Sequence, residues 1–148
     1  MSLKQFKRPE SVLVVVYTLT GQVLLLRRAD DPSFWQSVTG SLEWGENPRQ
    51  AAERELSEET GLTAVKTLQD LNVINRYPIL PRWRARYAAD VQENSEHAFV
   101  CALAAPTPIT LNPREHAEYA WFPFVEAAEK VTSWTNREII LRIKTNRE

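Results

Sequence analysis

Residues 40–62 read GSLEWGENPRQAAERELSEETGL, and the local signals in this stretch define a helix with both ends marked. Asn47 is a good N-cap. Pro48 suits the first helical position, and Gln50 stands where a capping box places its Glu or Gln. Gly61 suits the left-handed residue that stops a helix, so the pattern predicts a helix over 48–60. Ala51, Ala52, Leu56 and Leu62 give it a narrow apolar stripe to bury.

The charges on that helix are badly placed for stability. Between Glu43 and Glu59 there are six acids and two bases (Arg49 and Arg54), a local net charge of −4 in a chain whose total is −1. Glu55, Glu58 and Glu59 stand at i, i+3 and i+4 on one face, where like charges cost roughly 0.2–0.5 kcal/mol per pair. Glu58 and Glu59 also fall in the last turn, where the negative end of the macrodipole repels them. Carboxylates gathered against both effects are what a hard divalent cation such as Mg²⁺ or Mn²⁺ takes as ligands. Spacing alone also fits a solvated acidic face, with Arg54 four residues before Glu58 relieving the repulsion.

Working outward, residues 12–17 are apolar and β-branched and predict a strand buried on both faces. Thr20-Gly21-Gln22 predicts a turn into a second strand over 23–27, and residues 36–38 a third. Further strands are expected over 71–77, 83–89, 98–103 and 119–122. In the second of these, Arg82, Arg84 and Arg86 would point one way and Trp83, Ala85 and Tyr87 the other. Helices are expected over 124–131 and 134–147, the latter capped by Ser133 or Thr135. Strands and helices mix without regular alternation, which points to α+β.

Composition narrows the function classes. At 148 residues and 17.0 kDa the chain has the size of a single domain, 1–148, able to bury roughly 70% of its unfolded surface without disulfides or a structural metal. Eighteen Lys and Arg against nineteen Asp and Glu give no sequence-wide attraction to nucleic acid or to an anionic membrane. Neither apolar run, 12–17 or 98–105, approaches the roughly 18 residues of a membrane span. The N-terminal residues carry charge with no apolar core behind it, unlike a signal peptide. The single Cys101, expected in the core, excludes an intrachain disulfide and suits a reducing compartment; a cytoplasmic setting is the expectation. His97 and His116 lack the spacing of a metal pair and receive no role.

Gly40, Glu46, Arg54, Glu55, Leu56, Glu58, Glu59, Gly61 and Leu62 match all nine fixed positions of the 23-residue Nudix box, G-x5-E-x7-R-E-U-x-E-E-x-G-U with U apolar. The chain therefore resembles the Nudix hydrolases. The resemblance implies an α/β/α sandwich with a mixed β-sheet and a loop–helix–loop catalytic motif. It also implies Mg²⁺-dependent hydrolysis of a nucleoside diphosphate linked to another group. Carried over by position, Glu55, Glu58 and Glu59 look like metal-binding carboxylates, and Gly40 offers its backbone carbonyl. Arg54 and Glu46 are usually structural in this family, and a later loop often adds an acid, for which Glu115 is the candidate. In such chemistry metal ions neutralise the bridging oxygens and lower the pKa of an attacking water, and a nearby carboxylate takes its proton. Which of Glu55, Glu58 and Glu115 is that base stays open.

Outside the box, four segments resemble a narrower group, the bacterial dihydroneopterin triphosphate pyrophosphatases. They are Phe6-Lys7-Arg8-Pro9, Arg27-Arg28, the run from Asp30 to Ser41, and Lys130-x-x-Ser133-Trp134-x-Asn136-Arg137. Val38-Thr39-Gly40 stands where many Nudix proteins have Pro-Gly-Gly. This resemblance implies removal of pyrophosphate from 7,8-dihydroneopterin triphosphate in folate biosynthesis. Lys7, Arg28 and Arg84, with its neighbours Arg82 and Arg86, are candidates for the triphosphate. Trp35, Trp83 or Trp134 is a candidate slot for the flat ring, with Thr39 and Ser133 as polar contacts. The expected partner is a small-molecule triphosphate, with no nucleic acid and no membrane, and the chain is expected to be a monomer or homodimer. Two alternatives are a general nucleotide pyrophosphohydrolase acting on dATP or oxidised nucleotides and a non-catalytic Nudix ligand-binding module. RNA 5′-end processing is disfavoured by the balanced charge.

Overall fold

The computed structural model describes residues 6–63 and 65–147. The helix predicted over 48–60 is α1 (Pro48–Thr60), and its ends are closed as its sequence requires. The Asn47 side chain accepts the Gln50 N–H at 2.8 Å, and the Gln50 side chain accepts the Asn47 N–H at 2.9 Å. At the other end Gly61 takes φ +80°, and its N–H donates to the Ser57 carbonyl. Asn47→Ala is expected to cost about 1 kcal/mol. Urea unfolding checks this as a lower midpoint at an unchanged slope.

Among the described residues seven strands form one mixed sheet: β1 (Glu10–Thr18), β2 (Gln22–Arg28), β3 (Trp35–Gln36), β4 (Val38–Ser41), β5 (Leu68–Pro78), β6 (Glu93–Leu103) and β7 (His116–Pro123). β1 runs parallel to β6, which pairs antiparallel with β5; β2 pairs antiparallel with β7. β1 and β2 share one register pair, Tyr17 opposite Val23. The short strands bridge these two, β3 pairing with β2 and β4 with β1. What reads as one strand over 36–38 is thus two strands meeting at Ser37. That pivot is pinned by Asn136 in α3 (Trp134–Arg147): the Ser37 N–H donates to Asn136 Oδ1 at 2.8 Å, and Asn136 Nδ2 donates to Ser37 Oγ at 2.9 Å.

Strand alternation then divides the core in two. Val12, Val14 and Val16 of β1 pack with Leu24, Leu26, Phe99 and Cys101 against Ala51, Ala52 and Leu56 of α1. Leu13 and Val15 pack with Val23, Leu25, Ala98 and Val100 against Ala127 and Ala128 of α2 (Phe124–Lys130) and Ile139, Ile140 and Ile143 of α3. Each fully buried Val, Leu or Ile contributes roughly 1.5–3 kcal/mol. The result is the expected α/β/α sandwich, with α1 on one face and α2 and α3 on the other. Cys101 lies buried in the α1-side core, as expected. Among the described residues no helix is long and apolar enough to cross a membrane.

One expected strand is absent. Residues 83–89 do not extend; Pro81–Arg86 forms a 3₁₀ helix, with the Trp83 N–H on the Leu80 carbonyl and the Tyr87 N–H on the Arg84 carbonyl. The three arginines therefore share no strand face. Pro81 presets the first helical position, and Trp83 gains ring contacts with Phe34, Arg28 and Arg82, which outweigh the alternating pattern.

Candidate active site

Arg54 organises the acidic stretch. Its Nε and Nη2 grip both oxygens of Glu46 at 2.9 and 2.8 Å, Nη2 also reaches the Ser41 carbonyl at 3.0 Å, and Nη1 holds Glu55 Oε1 at 2.7 Å. A bidentate guanidinium–carboxylate pair is stiff, so Glu46 fixes the arginine and the arginine fixes Glu55. Glu58 is the loose member, exposed to solvent with one long contact to Arg54 at 3.4 Å.

Glu55 and Glu59 meet beneath β4. A Cβ on Gly40 would fall on the Glu55 carboxylate, 2.6 Å from its Oε2 and nearer still to Cδ. Only glycine lets the helix place a carboxylate there. Glu59 is 1% exposed, shares a hydrogen bond with Glu55 and accepts one from the Thr39 N–H. Burial, then the Glu55 carboxyl, pushes the Glu59 pKa well above the usual carboxylate range; burial also raises that of Glu55. Glu59 Oε1 has no hydrogen-bond partner.

Cations and a third acid close on this pair. The Ala29 N–H donates to the Glu115 carbonyl at 2.9 Å, which joins the loop before β7 to the end of β2. The charge of Glu115 acts on Glu59, Arg28 and Lys7. Arg28 forms a bidentate pair with Asp30, both contacts 2.7 Å, and the Asp30 hydrogen bond is the main reason its pKa rises. Lys7 is exposed as a residue, yet desolvation around its ammonium lowers its pKa; Arg86 and Arg28 repel it, while Glu55 and Glu115 attract it.

His116, given no role by spacing, sits with Nε2 3.8 Å from Glu59 Oε1. Gln36 Nε2 donates to that same nitrogen at 3.0 Å, which makes it an acceptor. Burial, then Arg28, lowers the His116 pKa to about 4, so the ring is neutral at pH 7.

The remaining candidates are spread around this centre. Thr39 lies next to Gly40 and gives Glu59 its N–H, while its hydroxyl donates to the Val12 carbonyl at 2.9 Å. Arg84 points away, donating to the Val91 carbonyl at 3.3 Å; Arg86 is the basic residue of that helix whose charge reaches Lys7. Ser133 stands before α3, with its Oγ 2.8 Å from Thr135 Oγ1 and 3.5 Å from the Asn136 N–H. Phe34 and Trp83 pair at 6.3 Å with their rings inclined at 60°, and Arg28 and Arg82 lie over both rings, which makes an angled aromatic wall beside Arg28. Trp35 instead packs edge-on against Phe122, and Trp134 lies 45% exposed. Sequence reasoning included Arg86 among the triphosphate candidates but passed over His116 and Phe34. The facing of Arg28 and His116 across a register shift between β2 and β7 places the histidine, and no local pattern encodes it.

Among the described residues no three acidic, His or Cys groups already form a metal cage. The donors nonetheless suit a hard divalent ion: a buried, hydrogen-bonded carboxylate pair, an orphaned Glu59 oxygen, and a glycine that leaves room beside them. A divalent ion held there would take the place of the proton in that hydrogen bond and would turn the repulsion between the carboxylates into attraction.

Comparison with known proteins agrees with this geometry. Residues 7–143 match the NUDIX domain. The chain is 43% identical over 150 residues to a dihydroneopterin triphosphate diphosphatase of Escherichia coli K12, covering 99% of both. It is 38% identical over 148 residues to the Haemophilus influenzae enzyme of the same name, covering 97% of this chain and 92% of that one. Its structure superposes on that of the E. coli dihydroneopterin triphosphate pyrophosphohydrolase with a TM-score of 0.88, over 95% of this chain and 98% of that one. Sandwich, box and full-length likeness converge: this chain belongs to the Nudix hydrolase family, whose members generally use divalent metal ions on phosphate substrates.

Proposed function

We propose that this chain is a dihydroneopterin triphosphate diphosphatase: it cleaves 7,8-dihydroneopterin triphosphate to the monophosphate and pyrophosphate, with Mg²⁺ as its ion and Mn²⁺ as a substitute. The observation that carries this reading is the 43% identity spanning 99% of both chains. In this reading Glu55, Glu58, Glu59, Glu115 and the Gly40 carbonyl would hold the ion. A bound divalent ion supplies charge neutralisation and a water of lowered pKa. Arg54 keeps Glu55 aimed. Glu58, the carboxylate with the weakest tether, is free to take the water's proton, and Glu115 is the other acid open to that task. Lys7 and Arg28 receive the phosphates, and the Phe34–Trp83 wall stands beside them for the ring. The near-neutral total charge supports a small-molecule triphosphate over nucleic acid, and the free, buried Cys101 supports a cytoplasmic setting for a monomer or homodimer.

Phosphorus NMR of products formed in ¹⁸O-water, together with kcat/KM across the pterin triphosphate, dATP and RNA carrying a 5′-triphosphate, tests this. Pyrophosphate with the pterin monophosphate, at a kcat/KM at least about tenfold above dATP (some 1.4 kcal/mol), is expected. Equal or better use of dATP would transfer the assignment to a general nucleotide pyrophosphohydrolase.

A further inference from the structure

On the face of the sheet opposite α1 lies a buried polar floor that the centre described above does not use. Leu13 of β1 and Ala98 and Val100 of β6 point to the α2–α3 core, so alternation places Ser11, Asn94 and Glu96 on that same face. Ser41 pairs with Ser11, and Ser11 with Glu96, so one row runs across three strands from the residue next to Gly40 to Glu96.

Glu96 and Asn94 are each 4% exposed. The Tyr77 hydroxyl donates to Glu96 Oε2 at 3.1 Å, and Thr135 at the start of α3 also hydrogen-bonds this carboxyl. Asn94 Nδ2 donates to Ser11 Oγ at 2.7 Å and to the Tyr77 hydroxyl at 3.0 Å. With those bonds made, Glu96 Oε1 and Asn94 Oδ1 both remain without a partner. A buried acceptor left unmade is costly, and two on neighbouring side chains of one strand face call for a ligand with adjacent N–H donors. Ser41, which pairs with Ser11, and Tyr87, whose hydroxyl bonds Ser41, are half-buried, and Lys7 Nζ lies 6.0 Å from the Tyr87 ring.

We propose that Glu96 and Asn94 are specificity-determining residues that receive the N3–H and 2-amino donors of a 2-amino-4-oxo pyrimidine ring, the edge a pterin presents. This rests on the pterin reading above and extends it to the ring. Guanine carries the same edge. Adenine does not: its N1 acceptor, next to the 6-amino group, would face an unpaired oxygen. A site that leaves acceptors unpaired against the wrong ring discriminates strongly. Thr39 pairs with Leu13 and so belongs to this face, and Ser133 precedes the helix that supplies Thr135.

Two measurements test the inference. In Glu96→Gln the ratio of kcat/KM for 7,8-dihydroneopterin triphosphate to that for dATP is expected to fall about 10- to 100-fold, through KM. The ratio for dGTP over dATP should fall with it; a pterin ratio that falls while the guanine ratio holds assigns the floor to pterin alone. The second measurement needs no variant: by fluorescence titration the parent protein should bind neopterin about 10- to 100-fold more tightly than its 2-oxo analogue. An unmoved pterin ratio, or equal affinity for the two ligands, overturns the inference. A parent that discriminates the ligands yet leaves the triphosphate intact supports it while overturning the proposed reaction.

Discussion

Glu59→Gln is expected to lower kcat by about 10³-fold or more while making the metal-free protein more stable. The amide keeps the shape and one acceptor for the Thr39 N–H, yet it cannot become the anion that a divalent ion requires. The stability gain follows from the pair that Glu59 forms with Glu55. Both carboxyls have pKa values raised first by burial, so each binds a proton more tightly folded than unfolded. Above the ordinary carboxylate pKa the unfolded chain releases those protons at no cost and the folded chain does not, so stability is lost as pH rises through that window. A neutral amide removes the penalty. Calorimetry in EDTA should show a higher Tm for the variant, and adding Mg²⁺ should raise the Tm of the parent far more than that of the variant. A variant that retains a tenth of the parent rate would place the ion elsewhere.

Gly40→Ala is expected to cost about 10²- to 10³-fold in activity with a smaller effect on folding. Gly40 is not among the positive-φ glycines, so its backbone accommodates alanine. What the new methyl meets is the Glu55 carboxylate, pressed between Gly40 and the Arg54 guanidinium. The side chain must swing away, and displacements near 1 Å at a reacting centre cost about 10²-fold. Overpacking of this kind costs about 1–3 kcal/mol. Steady-state kinetics over a Mg²⁺ series should show a raised metal requirement together with the lower kcat. Normal activity would show that Glu55 has another productive position.

The parts of this molecule that were legible in advance are those whose cause is local. Asn47, Pro48, Gln50 and Gly61 determine α1 within a few bonds of themselves, and the box places three glutamates on one helix. Alternation in β1 encodes two cores, and both formed. Long-range causes left weaker traces. β6 begins five residues before its apolar run, because Asn94 and Glu96 find partners on β1, β5 and α3 that their sequence neighbours do not reveal. The Arg–aromatic alternation over 82–87 suited a strand, but stacking on Phe34 and a proline at the entry favoured a short helix. Shared helical spacing did not make the glutamates equal either: Glu59 is interred, Glu55 is gripped by Arg54, and Glu58 stays in solvent.

The junction between β3 and β4 has a consequence for when the enzyme becomes competent during synthesis. Ser37 is fastened by Asn136, ninety-nine positions later, and three residues on from Ser37 lies the glycine beneath the Glu55 carboxylate. A nascent polypeptide with α3 still inside the ribosome already carries every acidic group of the centre. It lacks the clasp that seats them, so hydrolysis is expected to begin only after α3 emerges and docks.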